Sequence, residues 1–413
     1  MDFDFHSSEE LEEFRKKVSA FIEENALKKP RNTADPNKMT LEEWLRGRVL
    51  EQKLGERGWF APNYPKEYGG GGLDTDHCRV LGEELINIVE ERRWLGSTQV
   101  NPIHVAGLMA FGTPEQKRKL LVPMLRGEWD GAQCFTEPEA GTDEASLKST
   151  AIRDGDAYVI NGDKVFVGRA PNGSQPFNYL YWTAISDPKA PRYQNIGAFL
   201  IPGDLPGINY TPLDLIGAEG PQKWEIFCEN VRCPADRLIG AETQGWQVAQ
   251  ATLAVEHGGA GSILPRSRMI PRLIDYCQKT LRNGEPISND PRVQDLLVQL
   301  YIEHQVGRLW GLRNYAMAQG QIPRVRYTGT QTSLHGKRFS PAQGKALMDI
   351  LGPYCLLDDP ELQVVAGQVE HAVRMGDVTH IGGTPETQQI MMSRGLGFAG
   401  LGPFATRAGA AGR

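Results

Sequence analysis

Apolar residues recur at two different periods along this chain, and the changes of period divide it into three. In SSEELEEFRKKVSAFIEENA, Leu11, Phe14, Val18 and Ile22 fall three or four apart behind a serine, the spacing of an amphipathic helix with a capped start. The Pro and Gly content of GWFAPNYPKEYGGGG (Gly58 to Gly72) predicts a loop, and helical patterning returns in LGEELINIVEERRWL and GTPEQKRKLLVPMLRGE. Residues 1–128 therefore read as an N-terminal α-helical domain. From 129 to 240 the texture is β: YLYWTAIS, IGAFLIP and WEIFCENVRCP are short apolar runs split by Pro and Gly. In DAYVINGDKVFVG, Asn161-Gly162 sits between two alternating runs, which predicts a two-residue hairpin turn. From 241 to 396 the helical period resumes in GWQVAQATLAVEH, PRVQDLLVQLYIEHQVGRLWGLRNYAMAQ and PELQVVAGQVEHAVRMG. Residues 397–413, GFAGLGPFATRAGAAGR, are rich in small residues and predict a loose tail.

At 413 residues the chain is too long for one simple core, which agrees with several packed units. A formal charge of −6 without a long basic run argues against a nucleic-acid partner. The six cysteines show no close pair at metal spacing, so no metal site is expected, and reduced, mostly buried thiols in a cytoplasmic protein are the plain reading. No apolar run reaches about 18 residues, and the N-terminus lacks an apolar signal core, so no membrane span is expected.

CFTEPEAGTDEASLKSTA (Cys134 to Ala151) is the most specific stretch. It resembles the flavin-contacting segment of the acyl-CoA dehydrogenase family, T-E-P-x-x-G-S/T-D. Three further segments fit the same family in the same order: GWFAPNYPKEYGGGG, GTPEQKRKLLVPMLRGE, and NGDKVFVG followed by ENVRCPADRLIGAETQGW. The resemblance spans residues from about 10 to 395. It implies an α+β fold with an N-terminal helical domain, a middle β-barrel (129–240) and a C-terminal four-helix bundle (241–396). It also implies FAD between barrel and bundles, an acyl-CoA thioester as substrate, an electron-transfer flavoprotein as electron acceptor, and a homotetramer or heterotetramer.

Taking an α-proton from a thioester needs a base at that carbon and a hydrogen-bond donor for the enolate oxygen. Most members of the family that this chain resembles carry the base in a Tyr-Glu-Gly-Thr loop. Here that loop, within HIGGTPETQQ, aligns as Ile381-Gly382-Gly383-Thr384 and holds no carboxylate. A smaller set, resembling the isovaleryl and long-chain enzymes, carries it on the first C-terminal helix. In QGWQVAQATLAVEHGGAG that position is Glu256, eleven residues beyond Gly245 (256 − 245). The resemblance thus implies Glu256 as base, with the Gly382 backbone N–H as a donor to the thioester oxygen. It further implies cofactor contacts from Gln133 to Thr142, including Phe135, Thr136 and Gly141, from Phe166, Val167 and Gly168, and from Thr384 and Glu386. Thr142 would also face the pantetheine arm, and His257 takes the place of the usual arginine beside the helical base.

Two stretches depart from the family pattern. The Arg-x-x-Phe-Gly clamp on a neighbouring subunit's pyrophosphate aligns with Thr280-Leu281-Arg282-Asn283-Gly284, and Gln-x-x-Gly-Gly-x-Gly becomes MDILGPY. Such drift resembles members acting on branched, cyclic or steroid-side-chain CoA esters. It leaves open a partner subunit of a heterotetramer, or a member catalysing a non-oxidative elimination.

Overall fold

The computed structural model describes residues 8–26, 41–90, 102–168, 177–213, 215, 223–256, 268–325, 327–357, 362 and 364–398. His257 and the 399–413 part of the tail lie outside the described residues.

Helix α1 (Glu9–Asn25) starts where Ser8 Oγ accepts from the Leu11 N–H at 3.2 Å; of the predicted face it buries Leu11, Val18 and Ile22, with Phe14 half-buried, and it adds Phe21. Helices α2 (Leu41–Glu56), α3 (Thr75–Glu90) and α4 (Pro102–Phe111) follow, then a run in which α5 (Pro114–Gln116) and α6 (Val122–Leu125) flank a π turn. Arg15 of α1 bridges Glu83 and Glu84 of α3 at 2.6 and 2.7 Å.

The middle region is a curled seven-stranded sheet: β1 (Gly131–Cys134), β2 (Thr150–Asp154), β3 (Ala157–Gly168), β4 (Tyr179–Ile185), β5 (Ile196–Pro202), β6 (Ile208–Leu213) and β7 (Lys223–Pro234). The order is β1-β4-β2-β3-β7-β6, with β5 on β4, and the β1–β4 and β2–β4 pairs are parallel. The hairpin expected at Asn161-Gly162 is not there. The β2–β3 turn falls at Gly155-Asp156, because Asp154 pairs with Ala157, and β3 runs on through Asn161 with a shift of register against β7. Asn161 spends its side chain on the partner strand, accepting from the Asn230 N–H at 2.8 Å. A Cβ on Gly162 would stand 2.1 Å from Ser149 Oγ, so this glycine serves close strand approach rather than a turn.

Helix α7 (Gly245–Glu256) leads the C-terminal region, followed by α8 (Met269–Lys279), a two-stranded hairpin of β8 (Leu281–Arg282) and β9 (Glu285–Pro286), then α9 (Pro291–Ala318), α10 (Thr328–Leu351), α11 (Gln368–Met375) and α12 (Pro385–Gly395). Leu273, Leu297, Leu347, Ile350 and Val369 centre its core. What seats α7 against the sheet is a bare spot on α4. A Cβ on Gly107 would lie 2.3 Å from the Tyr181 hydroxyl and 2.8 Å from Val248, so only glycine lets α4, β4 and α7 meet. Tyr181 and Thr252 then share a buried hydrogen bond of 2.8 Å one helical turn before Glu256. No helix among the described residues is long and apolar enough to cross a membrane.

Candidate active site

Glu256 is the last described residue of α7, half-buried at the helix end. Gln133 on β1 donates from Nε2 to Glu256 Oε2 at 3.0 Å. Gln133 pairs with Tyr181 across β1 and β4, so the contact that aims the carboxylate and the one that seats its helix come from neighbouring positions of one sheet.

The C-terminal loop closes the other side. A Cβ on Gly382 would lie 3.9 Å from Glu256 Oε1, so the helical carboxylate stands at the place where the loop's own side chain would begin. Gly382 and Gly383 hold φ of +65° and +84°, the left-handed region that glycine enters without strain. Two side chains fix this backbone: buried Gln388 of α12 donates to Gly382 O at 2.8 Å, and Lys337 of α10 donates to Thr379 O at 3.0 Å and also to Ile381 O. Thr384 caps α12 by accepting from the Thr387 N–H at 3.3 Å, with Pro385 at the first helical position. Exposed Glu386 follows in the first turn, where its own backbone N–H and then the Thr384 hydroxyl hold its carboxyl below the usual range.

Sheet residues form the floor. Glu137 and Ala140 bridge each other by two backbone hydrogen bonds, 2.9 and 3.1 Å, which folds Thr136-to-Thr142 into a tight turn. Buried Lys164 of β3 donates to Glu137 Oε1 at 2.8 Å and to Phe135 O at 3.0 Å, while the N–H groups of Lys148 and Ser149 donate to the same carboxylate at 2.6 and 3.1 Å. Burial alone would raise the Glu137 carboxyl; Lys164 and these donors outweigh it and hold it below the usual range. The Val165 N–H donates to Thr136 O at 2.9 Å, bringing the next predicted cofactor segment alongside. There β3 bulges, Phe166 takes φ of +59°, and its ring is 52% exposed. A bulky residue in that conformation is an outlier that turns an aromatic face outward.

Among the residues expected at the site, Gln133, Glu256 and Gly382 are brought together directly, and Thr136, Gly141 and Phe166 lie around one turn. Phe135 and Val167 send their side chains into the hydrophobic cores instead, Phe135 edge-on to Tyr181 at 5.0 Å, leaving only their backbones for the site. A Cβ on Gly168 would lie 2.9 Å from Lys223 Nζ, and Thr142 is exposed at the rim. Sequence reasoning missed Lys164, Gln388 and the buried carboxyl of Glu144. The available signal was a charge at an inward position: Lys164 lies inside the alternating β3 run, and Glu144 stands just before the buried Ala145 and Leu147.

Residues 8–128 match the acyl-CoA dehydrogenase N-terminal domain, 132–231 its middle domain and 243–397 its C-terminal domain. The chain belongs to the acyl-CoA dehydrogenase family. It is 29% identical to acyl-CoA dehydrogenase IpdE1 of Mycobacterium tuberculosis, over 94% of this chain and 98% of that one. With glutaryl-CoA dehydrogenase of Desulfococcus multivorans the identity is 27%, over 74% of this chain and 77% of the relative. Among solved structures, the Tcur3481–Tcur3483 steroid ACAD superposes with a TM-score of 0.76 at 27% identity, covering 96% of this chain and 99% of that one. The ChsE4–ChsE5 complex of Mycobacterium tuberculosis shares the fold, with a TM-score of 0.76 at 24% identity over 96% and 100%.

Acyl-CoA dehydrogenases are a family of flavoprotein oxidoreductases, and this acyl-CoA dehydrogenase has features that fit a flavin. Phe166 offers an outward aromatic face beside the Thr136 turn, and buried Gln388 Oε1, next to the Gly382 loop, has no hydrogen-bond partner among the described residues. That acceptor suits a group bearing hydroxyl or amino donors. In the segment aligned with the pyrophosphate clamp, β8 and β9 form a tight hairpin through Asn283 and Gly284, both at positive φ, and Arg282 donates to Ile350 O near the end of α10 at 2.8 Å.

Proposed function

We propose that this acyl-CoA dehydrogenase binds FAD and oxidises an acyl-CoA thioester to the 2-enoyl-CoA, with Glu256 taking the α-proton. The observation that carries this is the placement of the Glu256 carboxylate, held by Gln133 at 3.0 Å and 3.9 Å from the Cβ position of the bare loop residue Gly382. FAD when bound supplies the acceptor for the hydride leaving the β-carbon. Gln133 orients the base, and the Gly382 N–H, on a backbone pinned by Gln388 and Lys337, donates to the thioester oxygen as charge builds there. Thr136, Gly141, Thr142, Phe166, Thr384 and Glu386 hold the cofactor; His257, just past the base, contacts substrate. Electrons then leave to an electron-transfer flavoprotein, and six unpaired cysteines support a reducing, cytoplasmic setting.

For the acyl group, relatives named for steroid and glutaryl-CoA chemistry support a branched, ring-bearing or otherwise unusual chain. Apolar Val298, Tyr301, Ile302 and Leu309 stand exposed along α9, which supports assembly with further subunits of the same fold into a tetramer. A two-component assembly draws on a specific observation: Arg282 is engaged within its own chain, so a second copy has no aligned arginine ready for a neighbour's cofactor.

The test is anaerobic mixing of the purified protein with straight, branched and cyclic CoA thioesters. Glu256→Gln is expected to keep its yellow flavin yet lose substrate bleaching by at least about a thousandfold, the scale of an essential base. Bleaching at the wild-type rate would sink the assignment.

A further inference from the structure

The bare loop at Gly382 is clamped through its carbonyl oxygens, and the two clamps differ in charge. Fully buried Gln388 of α12 donates from Nε2 to Gly382 O at 2.8 Å, so a neutral amide holds the peptide joining Gly382 to Gly383. Lys337 of α10 donates from Nζ to Ile381 O, so an ammonium holds the peptide joining Ile381 to Gly382. Its second bond, to Thr379 O at 3.0 Å, keeps the lysine head in place. The peptide under the ammonium is the one whose N–H belongs to Gly382. In a trans peptide the C=O and N–H point in opposite directions, so fixing the Ile381 oxygen turns the Gly382 N–H away from the lysine. Among the described residues that N–H has no hydrogen-bond partner. The Cβ position on the same residue lies 3.9 Å from Glu256 Oε1. An ammonium, a peptide and an open donor beside the carboxylate thus follow one another in series.

We propose that Lys337 is a positioning residue that both aims and polarises the Gly382 N–H, strengthening the donor beside which the thioester oxygen gains charge. This rests on the Gly382 N–H facing the thioester oxygen, as proposed above. A cation at a carbonyl oxygen draws electron density toward that oxygen. Peptide resonance passes the demand on to the N–H, which becomes a better donor. Hydrogen bonds with one ionised partner are about twice as strong as neutral ones, so a lysine does more here than an amide would. The charge also acts directly. Two hydrogen bonds and a peptide unit put it about 8 Å from the thioester oxygen, where an effective dielectric constant of about 20 makes it worth roughly thirtyfold in rate. Lys337 is half-buried, and screening by solvent and salt lowers that toward about tenfold. The ground-state oxygen carries little charge, so the effect falls on the rate and spares binding. Gln388, neutral and on the next peptide, holds the loop without adding charge.

The experiment uses the full-length, flavin-loaded protein with Lys337→Gln, which keeps a donor and loses the charge, and Lys337→Arg, which keeps both. Butyryl-, isovaleryl- and cyclohexanecarboxyl-CoA are the bleaching substrates. The limiting rate is expected to fall about tenfold in Lys337→Gln, with the half-saturating concentration within about threefold of wild type, and to recover most of that loss in Lys337→Arg. A second readout needs no turnover. Crotonyl-, 3-methylcrotonyl- and cyclohexenecarbonyl-CoA, isotopically labelled at the thioester carbonyl, are followed by infrared difference spectroscopy. Binding to the wild type should lower the carbonyl stretch, less so in Lys337→Gln and as before in Lys337→Arg. Lys337→Gln with the wild-type rate and stretch overturns the proposal, as does a slowed rate with an unmoved stretch, or a loss that Lys337→Arg leaves unrecovered. Should Lys337→Gln fail to hold flavin, Lys337→Met takes its place with the same expectations. Bleaching that persists in Glu256→Gln removes the base and leaves the carbonyl comparison to decide the lysine. A stretch that binding to the wild type leaves unchanged removes the Gly382 donor and this role with it.

Discussion

The two sides of the site are built on opposite plans. On the sheet side Glu137 takes a lysine and two backbone N–H groups, all at 3.1 Å or less. On the helix side Glu256 has, among the described residues, one side-chain donor, Gln133, and faces Gly382, which has no side chain. A fully satisfied carboxylate has no remaining affinity to spend and acts as a clip for the Thr136 turn. A carboxylate with open acceptor positions can take a partner that arrives with the substrate. Glu144 lies between the two, buried like Glu137 but partnered as thinly as Glu256.

The largest effect should come from breaking the clip. Lys164→Met leaves Glu137 as an uncompensated buried charge and should cost about 3–5 kcal/mol. Adding Glu137→Gln should return most of that loss, since the pair then disappears together. Denaturant midpoints of the two variants, read against wild type at one pH, measure both. By contrast, Glu144→Gln should not lower stability at any pH above 4.5, because a neutral side chain replaces a carboxyl whose charged form burial disfavours. Equal losses in Lys164→Met and Glu144→Gln would erase the distinction drawn here.

Next in size is a pH effect with opposite signs for the two acids. Glu137 is depressed in the folded protein, so its stabilisation is present above its unfolded value and is lost as pH falls through the folded one. Glu144 is raised from 4.5 to about 7, so its contribution is complete below the unfolded value and is lost as pH climbs through the folded one. That loss is about 3 kcal/mol by linkage. Stability measured from pH 5 to pH 8 should fall in the wild type and fall less in Glu144→Gln.

How far these features were legible beforehand depends on sequence distance. Helix α1, the loop 58–72 and the helix–sheet–helix order follow from local periodicity, which the fold leaves intact. Glu256 and Gly382 could be read through spacing against a family pattern, since each loss or gain of a carboxylate sits at a fixed offset. Asn161-Gly162 misled because turn chemistry is local, whereas the contacts that decided it, Asn230 to Asn161 and Gly162 against Ser149, come from another strand and another segment. The Lys164–Glu137 pair bridges 27 residues, and no local pattern tells a buried lysine from one on the wet face of a strand.

The smallest expected effect bears on the bare side of the comparison. Gly382→Ala places a methyl at ordinary contact distance, 3.9 Å from Glu256 Oε1, so crowding alone is mild. The backbone cost is separate: at φ of +65° an L-residue loses about 1–2 kcal/mol, and the loop can recover it only by turning its peptide. Turning would pull the Gly382 carbonyl off Gln388 and swing the N–H away from where the thioester oxygen is held. Stability should therefore drop by no more than about 1–2 kcal/mol, while substrate bleaching slows about 10²-fold or more, as when one donor to a developing oxyanion is lost. A variant that loses stability by this amount but bleaches at the wild-type rate would show that the loop backbone supports α12 and takes no part in the chemistry.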